Sequence, residues 1–285
     1  MHITVIGTVN QDYTTAWHYA AAFEQLGLGV ERVPTDRSWT GIEVDGLYSE
    51  LRVGRVAEIS VRVGIDDHVF SDDGDWAADP GPLPRDRVHW LRSGTHGPEA
   101  HDSEAYPPWV PQWDVAFVGS APGAHPEWAA QRAALVEHLR EWFGERFLHF
   151  GPGGVGLTDD SQNYHTEIRG HWLNRLYRSV PIVVGDSTLV DRDGRYWSDR
   201  CYETWGRGGF LIHPGVTALQ MEIGRYPGSR WDVGDWDALG AEIDYWLTHP
   251  AEREEERRVM QERIRTRCTY ADRARELLDM LGLTE

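Results

Sequence analysis

Apolar blocks and polar stretches alternate along this chain in two rhythms. Residues 2–7, His-Ile-Thr-Val-Ile-Gly, form the short apolar run of a buried strand. Thr14 to Leu26 follows with helical spacing and places Ala20, Ala21, Phe23 and Leu26 on its buried side. Gly27 and Gly29 end that helix before a second strand at Val30–Val33. This β-α-β opening is that of a doubly wound α/β fold. Residues 37–80 are less regular: Val53 to Val63 alternates as a strand does, and Asp67–Phe70 reads as a shorter strand. Val88–Leu91 is a further one.

Pro98, Pro107, Pro108 and Pro111 then punctuate a polar stretch with the composition of a linker, so a first domain is expected at 1–110. Beyond it the rhythm is cleaner. Strands are expected at Asp114–Ser120, Phe147–Phe150, Pro181–Gly185 and Phe210–His213. Helices are expected at Pro126–Phe143, His171–Ser179, Ser198–Trp205, Asp235–Leu247, Glu252–Arg267 and Ala271–Leu281. Ser198 or Asp199 is placed to cap the helix that runs to Trp205, and Gly206, Gly208 and Gly209 stop it. Strands alternating with helices imply a parallel sheet covered on both faces.

A chain of 285 residues can bury one large core or two small ones. No apolar run is long enough to span a bilayer, and the chain starts on a strand rather than a signal peptide, so a cytoplasmic location is expected. Cys201 and Cys268, the two cysteines, do not make a disulfide framework or a cysteine zinc site and fit a reducing compartment. The net charge of −18 opposes a sequence-independent grip on nucleic acid. Fourteen tryptophans serve core packing, or offer flat faces to sugars and bases. The first βα loop lacks G-x-G-x-x-G, which removes support for a dinucleotide site. The acidic cluster Asp72–Asp75 reads as a solvated turn, and the D-x-D of Asp191–Asp193 stands in another, so no metal site is expected.

The stretch Ser198-Asp199-Arg200-Cys201-Tyr202-Glu203-Thr204-Trp205-Gly206-Arg207-Gly208-Gly209-Phe210-Leu211-Ile212-His213-Pro214 carries more than secondary structure. Leu173-Asn174-Arg175-Leu176-Tyr177, Pro181 to Ser187 and Val115 to Ser120 precede it. Together these segments resemble the CgeB-like, group 1 branch of the GT-B glycosyltransferases, over about residues 113–283. The resemblance implies two Rossmann-like domains facing a cleft, with the N-terminal, acceptor-side domain reduced in this chain. It implies a nucleotide-sugar-binding domain at 113–268 and a last helix, within 269–285, that packs back on the first domain. The implied activity is transfer of a sugar from a nucleotide diphosphate sugar to an unidentified acceptor. The nucleotide sugar is the substrate, and no cofactor is expected. That family carries an additional acid eight positions before its ribose-binding glutamate; Arg195 stands at that position here.

Glu203 is the candidate for the donor ribose, because an ionised carboxylate accepts from both hydroxyls. The loops Gly119–His125, Gly151–Gly154, Asp186–Ser198 and Gly206–Gly209 are expected beyond the C-terminal ends of the strands, where open parallel sheets bind ligands. Gly119, Ser120, Gly208 and Gly209 would let backbone N–H groups approach a diphosphate. Arg200 and Arg207, and with them Arg132, would add charge-assisted contacts. Asp186, Ser187 and Ser198 complete the donor set. An inverting reaction also needs a base on the acceptor, and Asp12, His18 and His96 are the candidates, although Asp12 equally suits a helix cap. A phage-type glycosyltransferase acting on modified DNA bases is one alternative. A non-catalytic nucleotide-sugar-binding protein is another.

Overall fold

The computed structural model describes residues 2–7, 15–34, 40–45, 60–63, 94, 113–119, 126–150, 171–186, 197–198 and 200–280. The expected strands at 67–70 and 88–91, the proline-rich linker and the loops at 120–125 and 151–154 lie outside them. The chain divides into two compact units, Met1–His96 with Cys268–Glu285, and Gly97–Arg267.

In the first unit, β1 (His2–Gly7), β2 (Gly29–Pro34), β3 (Thr40–Asp45) and β4 (Ser60–Val63) make one sheet in the order β2-β1-β3-β4. β1 and β2 are parallel, as the β-α-β opening requires. β3 lies antiparallel to β1, and β4 antiparallel to β3. The sequence pattern did not anticipate β3, and it makes this sheet mixed where a Rossmann-like domain would be parallel. The cause is the length of the connection. Only residues 35–39 separate β2 from β3, and a parallel return needs a crossover of about a dozen residues. β3 therefore enters at the edge where β2 leaves. Of the strand expected over Val53–Val63, the described part is Ser60–Val63.

Ile3 and Val5 of β1 pack against Tyr19, Ala20 and Phe23 of α1 (Thr15–Gln25) and against Tyr270, Ala274, Leu277 and Leu278 of the final helix (Tyr270–Met280). Thr269 opens that helix with a capping box: its Oγ1 accepts from the Asp272 amide at 3.2 Å, and Asp272 Oδ2 accepts from the Thr269 amide at 3.0 Å.

The second unit is the doubly wound part. β5 (Val115–Val118), β6 (Phe147–Phe150), β7 (Ile182–Val184) and β8 (Leu211–Ile212) form an all-parallel sheet in the order β6-β5-β7-β8. The intervening segments are α2 (Pro126–Phe143), α3 (His171–Ser179) and α4 (Arg200–Gly206). After β8 come α5 (Thr217–Ile223), α6 (Trp236–Thr248) and α7 (Pro250–Arg267), and the helix Tyr270–Met280 of the first unit is α8. β5 is buried at every position, as expected for a central strand covered on both faces. On one face Val115, Phe117, Ile182, Val184, Phe210 and Ile212 meet Leu135 and Leu139 of α2 and Leu239 and Ile243 of α6. Full burial of one such side chain contributes roughly 1.5–3 kcal/mol, so this layer holds the strand ends in place.

Candidate functional site

The strand order of the second unit reverses between β5 and β7. The chain leaves β5 towards β6 on one side and returns to β7 on the other. Helices diverge at such a switch point, and a crevice opens beyond the strand ends. Gly119 follows β5 there, and Asp186 follows β7.

Four charged or aromatic groups meet Asp186 and Gly119 in this crevice. Arg132, from α2, donates to Asp186 through Nε to Oδ2 at 2.6 Å and through Nη2 to Oδ1 at 3.2 Å. Arg200, the first residue of α4, places Nη1 3.8 Å from the same Oδ1. Both guanidiniums lie over the Phe117 ring, with their central carbons 5.9 and 5.7 Å from its centroid. Two cations therefore share one carboxylate, and Asp186 is only 4% exposed. Arg200 Nη1 is buried and has no hydrogen-bond partner among the described residues. A buried N–H of a charged group without a partner is costly, so the arrangement is one that an anion would complete.

Gly119 gives this arginine its room. A Cβ built on Gly119 would lie 2.7 Å from Arg200 Nη1 and Nη2, and its φ of +155° is one side chains rarely adopt. His149, at the end of β6, donates from Nε2 to the Gly119 carbonyl at 3.0 Å. Burial is the main cause that lowers its pKa, the bond to Gly119 raises it, and Arg140, Arg132 and Arg200 lower it further. His213, which follows β8, is pushed down to about 4, first by burial. Both rings are thus neutral around neutral pH and add no charge to the crevice.

Glu203 stands one turn into α4. Its Oε2 accepts from Arg207 Nε, and Arg207 Nη1 donates to Asn174 Oδ1 of α3 at 2.9 Å. Arg207 is almost fully buried and Glu203 is 18% exposed at the side chain. The pair ties α4 to α3 and fixes the glutamate. Ser198 caps α4: its Oγ accepts from the Arg200 amide at 3.3 Å.

The structure corrects one expected placement. The Gly206–Gly209 turn precedes β8, so it lies at the entrance edge of the sheet and not beyond the strand ends with Gly119. α4 runs antiparallel to the strands and brings only its first residues to the crevice. Gly208 and Gly209 instead pack: a Cβ on Gly208 would lie 2.7 Å from Gln261 Nε2, and one on Gly209 2.7 Å from Thr204 Cγ2.

The structure brings together Gly119, Asp186 and Arg200, with Glu203 one turn below. Ser120, Ser187, Asp12 and His96 lie outside the described residues. His18 is buried in the first unit, stacked on Tyr270 with ring centroids 4.7 Å apart. Sequence reading treated Phe117, His149 and His213 as strand residues; the only hint of more was their place at or just after the strands' C-terminal ends. Among the described residues no group of three His, Cys, Asp or Glu side chains is placed to hold a metal ion. No helix among them is long and apolar enough to cross a membrane.

A family described as glycosyl transferase-like matches residues 131–279, which is 149 of the 285 residues and more than half of the chain. The chain belongs to the glycosyl transferase-like family. The match runs from α2, which supplies Arg132, through the Asp186, Arg200 and Glu203 segments into α8. Membership implies a transferase working between a sugar donor and an acceptor. A comparison with curated proteins finds no match.

Proposed function

We propose that this protein transfers a sugar from a nucleotide diphosphate sugar to an acceptor, with the diphosphate seated in the crevice between Gly119 and Asp186. The observation that carries the reading is Arg200 Nη1, buried and without a hydrogen-bond partner among the described residues, at the switch point of a parallel sheet. Arg200 would bond the leaving diphosphate, where negative charge grows as the anomeric C–O bond breaks. Arg132 would act through Asp186, because its guanidinium is already engaged there. Glu203 would hold the ribose with its second oxygen while Arg207 fixes the first.

In the transfer, the bond from the anomeric carbon to the diphosphate oxygen breaks and a bond to the acceptor oxygen forms. The acceptor proton passes to a base in an inverting reaction. Asp12 and His96 are preferred for that role over His18, whose ring is used in core packing. We assign the protein to the CgeB-like branch, and its two units to the two halves of a GT-B enzyme, on the sequence motifs.

A thermal-shift panel of UDP-, GDP-, CDP- and dTDP-sugars tests the reading. One donor at a hundred times its dissociation constant is expected to stabilise the protein by ~2.7 kcal/mol. The shift should shrink in Arg200→Met. Absence of any shift, or one undiminished in Arg200→Met, overturns the proposed site. Binding without transfer or hydrolysis would favour a nucleotide-sugar-binding protein. Submicromolar affinity for duplex DNA at physiological salt would favour the base-modifying alternative, against which the net charge of −18 argues.

A further inference from the structure

The second unit has a hollow of about 270 Å³ at the entrance edge of its sheet, on the opposite side from Gly119. Its walls come from three places. Tyr177 to Pro181 close α3 and lead into β7, Gly208 and Phe210 lead into β8, and Arg253, Glu254 and Arg257 lie on the first turns of α7. With Arg178, the wall holds three arginines against one glutamate, a formal excess of two positive charges in a chain of net charge −18.

The arginines are not equally engaged. Arg257 grips Glu254 with two bonds, 2.8 and 2.7 Å, and donates from Nη1 to the Gly208 carbonyl at 3.1 Å. Arg253 donates from Nη1 to the Trp246 carbonyl at 2.5 Å and makes no ion pair with a carboxylate among the described residues. Burial lowers its pKa, and Glu254 and Asp114 oppose that from a distance, so this cation is partly desolvated with no carboxylate in ion-pair contact among the described residues. The other walls, Val180, Pro181, Phe210 and Tyr177, are apolar or aromatic.

We propose that this hollow binds a compact phosphate monoester at a site separate from the donor crevice. A phosphate monoester carries close to two negative charges at neutral pH, which matches the excess of the wall. Arginine forks suit its oxygens, and the apolar wall suits a small carbon body. The volume lies just below that of drug-sized pockets, so a nucleotide diphosphate sugar is too large for it. The hollow touches Gly208, two residues after α4, so an occupant braces the helix that carries Arg200 and Glu203.

The test is calorimetric titration of the full chain with glycerol 3-phosphate, with glycerol as the neutral control and UDP as a donor-site probe. Each is repeated on Arg253→Met and on Arg200→Met, with folding checked by circular dichroism. The expected result is glycerol 3-phosphate binding that glycerol lacks, weakened about 10- to 150-fold in Arg253→Met and retained in Arg200→Met. UDP binding, if the donor reading holds, shows the reverse pattern, so failure of one site is distinguishable from failure of the other. If Arg253→Met does not fold, Arg178→Met replaces it with the same expectation. No binding of glycerol 3-phosphate, or binding lost in Arg200→Met and kept in Arg253→Met, overturns the proposal.

Discussion

Gly119 and Arg200 occupy space that only a glycine leaves free: a methyl group on Gly119 would sit 2.7 Å from both terminal nitrogens of the guanidinium. The contact places a cation against the backbone at the end of β5, where the diphosphate is proposed to sit. Gly119→Ala is expected to push Arg200 aside and to weaken nucleotide-sugar affinity as much as Arg200→Ala does. That loss is about 10- to 150-fold, the worth of one charge-assisted hydrogen bond. Calorimetric titration of both variants measures it, and unchanged affinity in either would count against the site.

Asp186 neutralises Arg132 and faces Arg200 while being almost fully buried. Asp186→Ala leaves Arg132 and Arg200 without the carboxylate they share, and is expected to cost about 3 kcal/mol in urea denaturation. Arg132→Met added to it should recover part of the loss, because the uncompensated charge is then removed. A double variant no more stable than Asp186→Ala would show that the pair is not the source of the cost.

Glu203→Ala removes both the proposed ribose acceptor and the partner of Arg207. Nucleotide affinity should fall about 10- to 150-fold and the melting temperature should also fall, since Arg207 is buried. Glu203→Gln keeps one acceptor oxygen where the carboxylate has two, so its losses should be smaller than those of Glu203→Ala in both measurements but not absent. Affinity unchanged in Glu203→Ala would dismiss the ribose role.

His213 gives the stability a pH dependence of defined sign. Its pKa is lowered on folding from 6.5 to about 4, chiefly by burial. The unfolded chain therefore binds the extra proton first, and stability contributed by the neutral ring is fully present above pH 6.5 and lost as pH falls towards 4. A shift of this size corresponds to about 3 kcal/mol. His149, lowered in the same direction, adds to the slope. Urea melts between pH 7 and 4 should show the decline, and His213→Asn should flatten it; an unaltered slope in that variant would refute the assignment.

Transfer is expected to proceed in excess EDTA, because arginines and backbone dipoles would meet the charge of the diphosphate. Activity abolished by EDTA and restored by manganese would reverse this.

What the sequence determined by itself was the local order of the second unit. α2 and α3 are found at their expected residues, and β6 also, because short apolar runs and helical spacing are local signals that the covered parallel sheet reinforces. The Ser198–Pro214 motif likewise pointed to a glycosyl transferase-like family. The tertiary structure decided the rest. α5 has no side-chain cap at Val216; its start is held by Tyr226, whose hydroxyl accepts from the Val216 amide and donates to the Pro214 carbonyl, both at 2.9 Å. No pattern within Thr217–Ile223 encodes that support. The direction of β3 followed from a five-residue connection, and the strand order β6-β5-β7-β8 decided that Arg132, Asp186 and Arg200 meet. The parallel direction of β8 put Gly208, which precedes it, at the entrance edge of the sheet. Residues 54 positions apart, Arg132 and Asp186, form a bidentate pair only because helices on both faces fix where each strand ends. Such pairings depend on chain path, and hydrophobic periodicity carries no record of it.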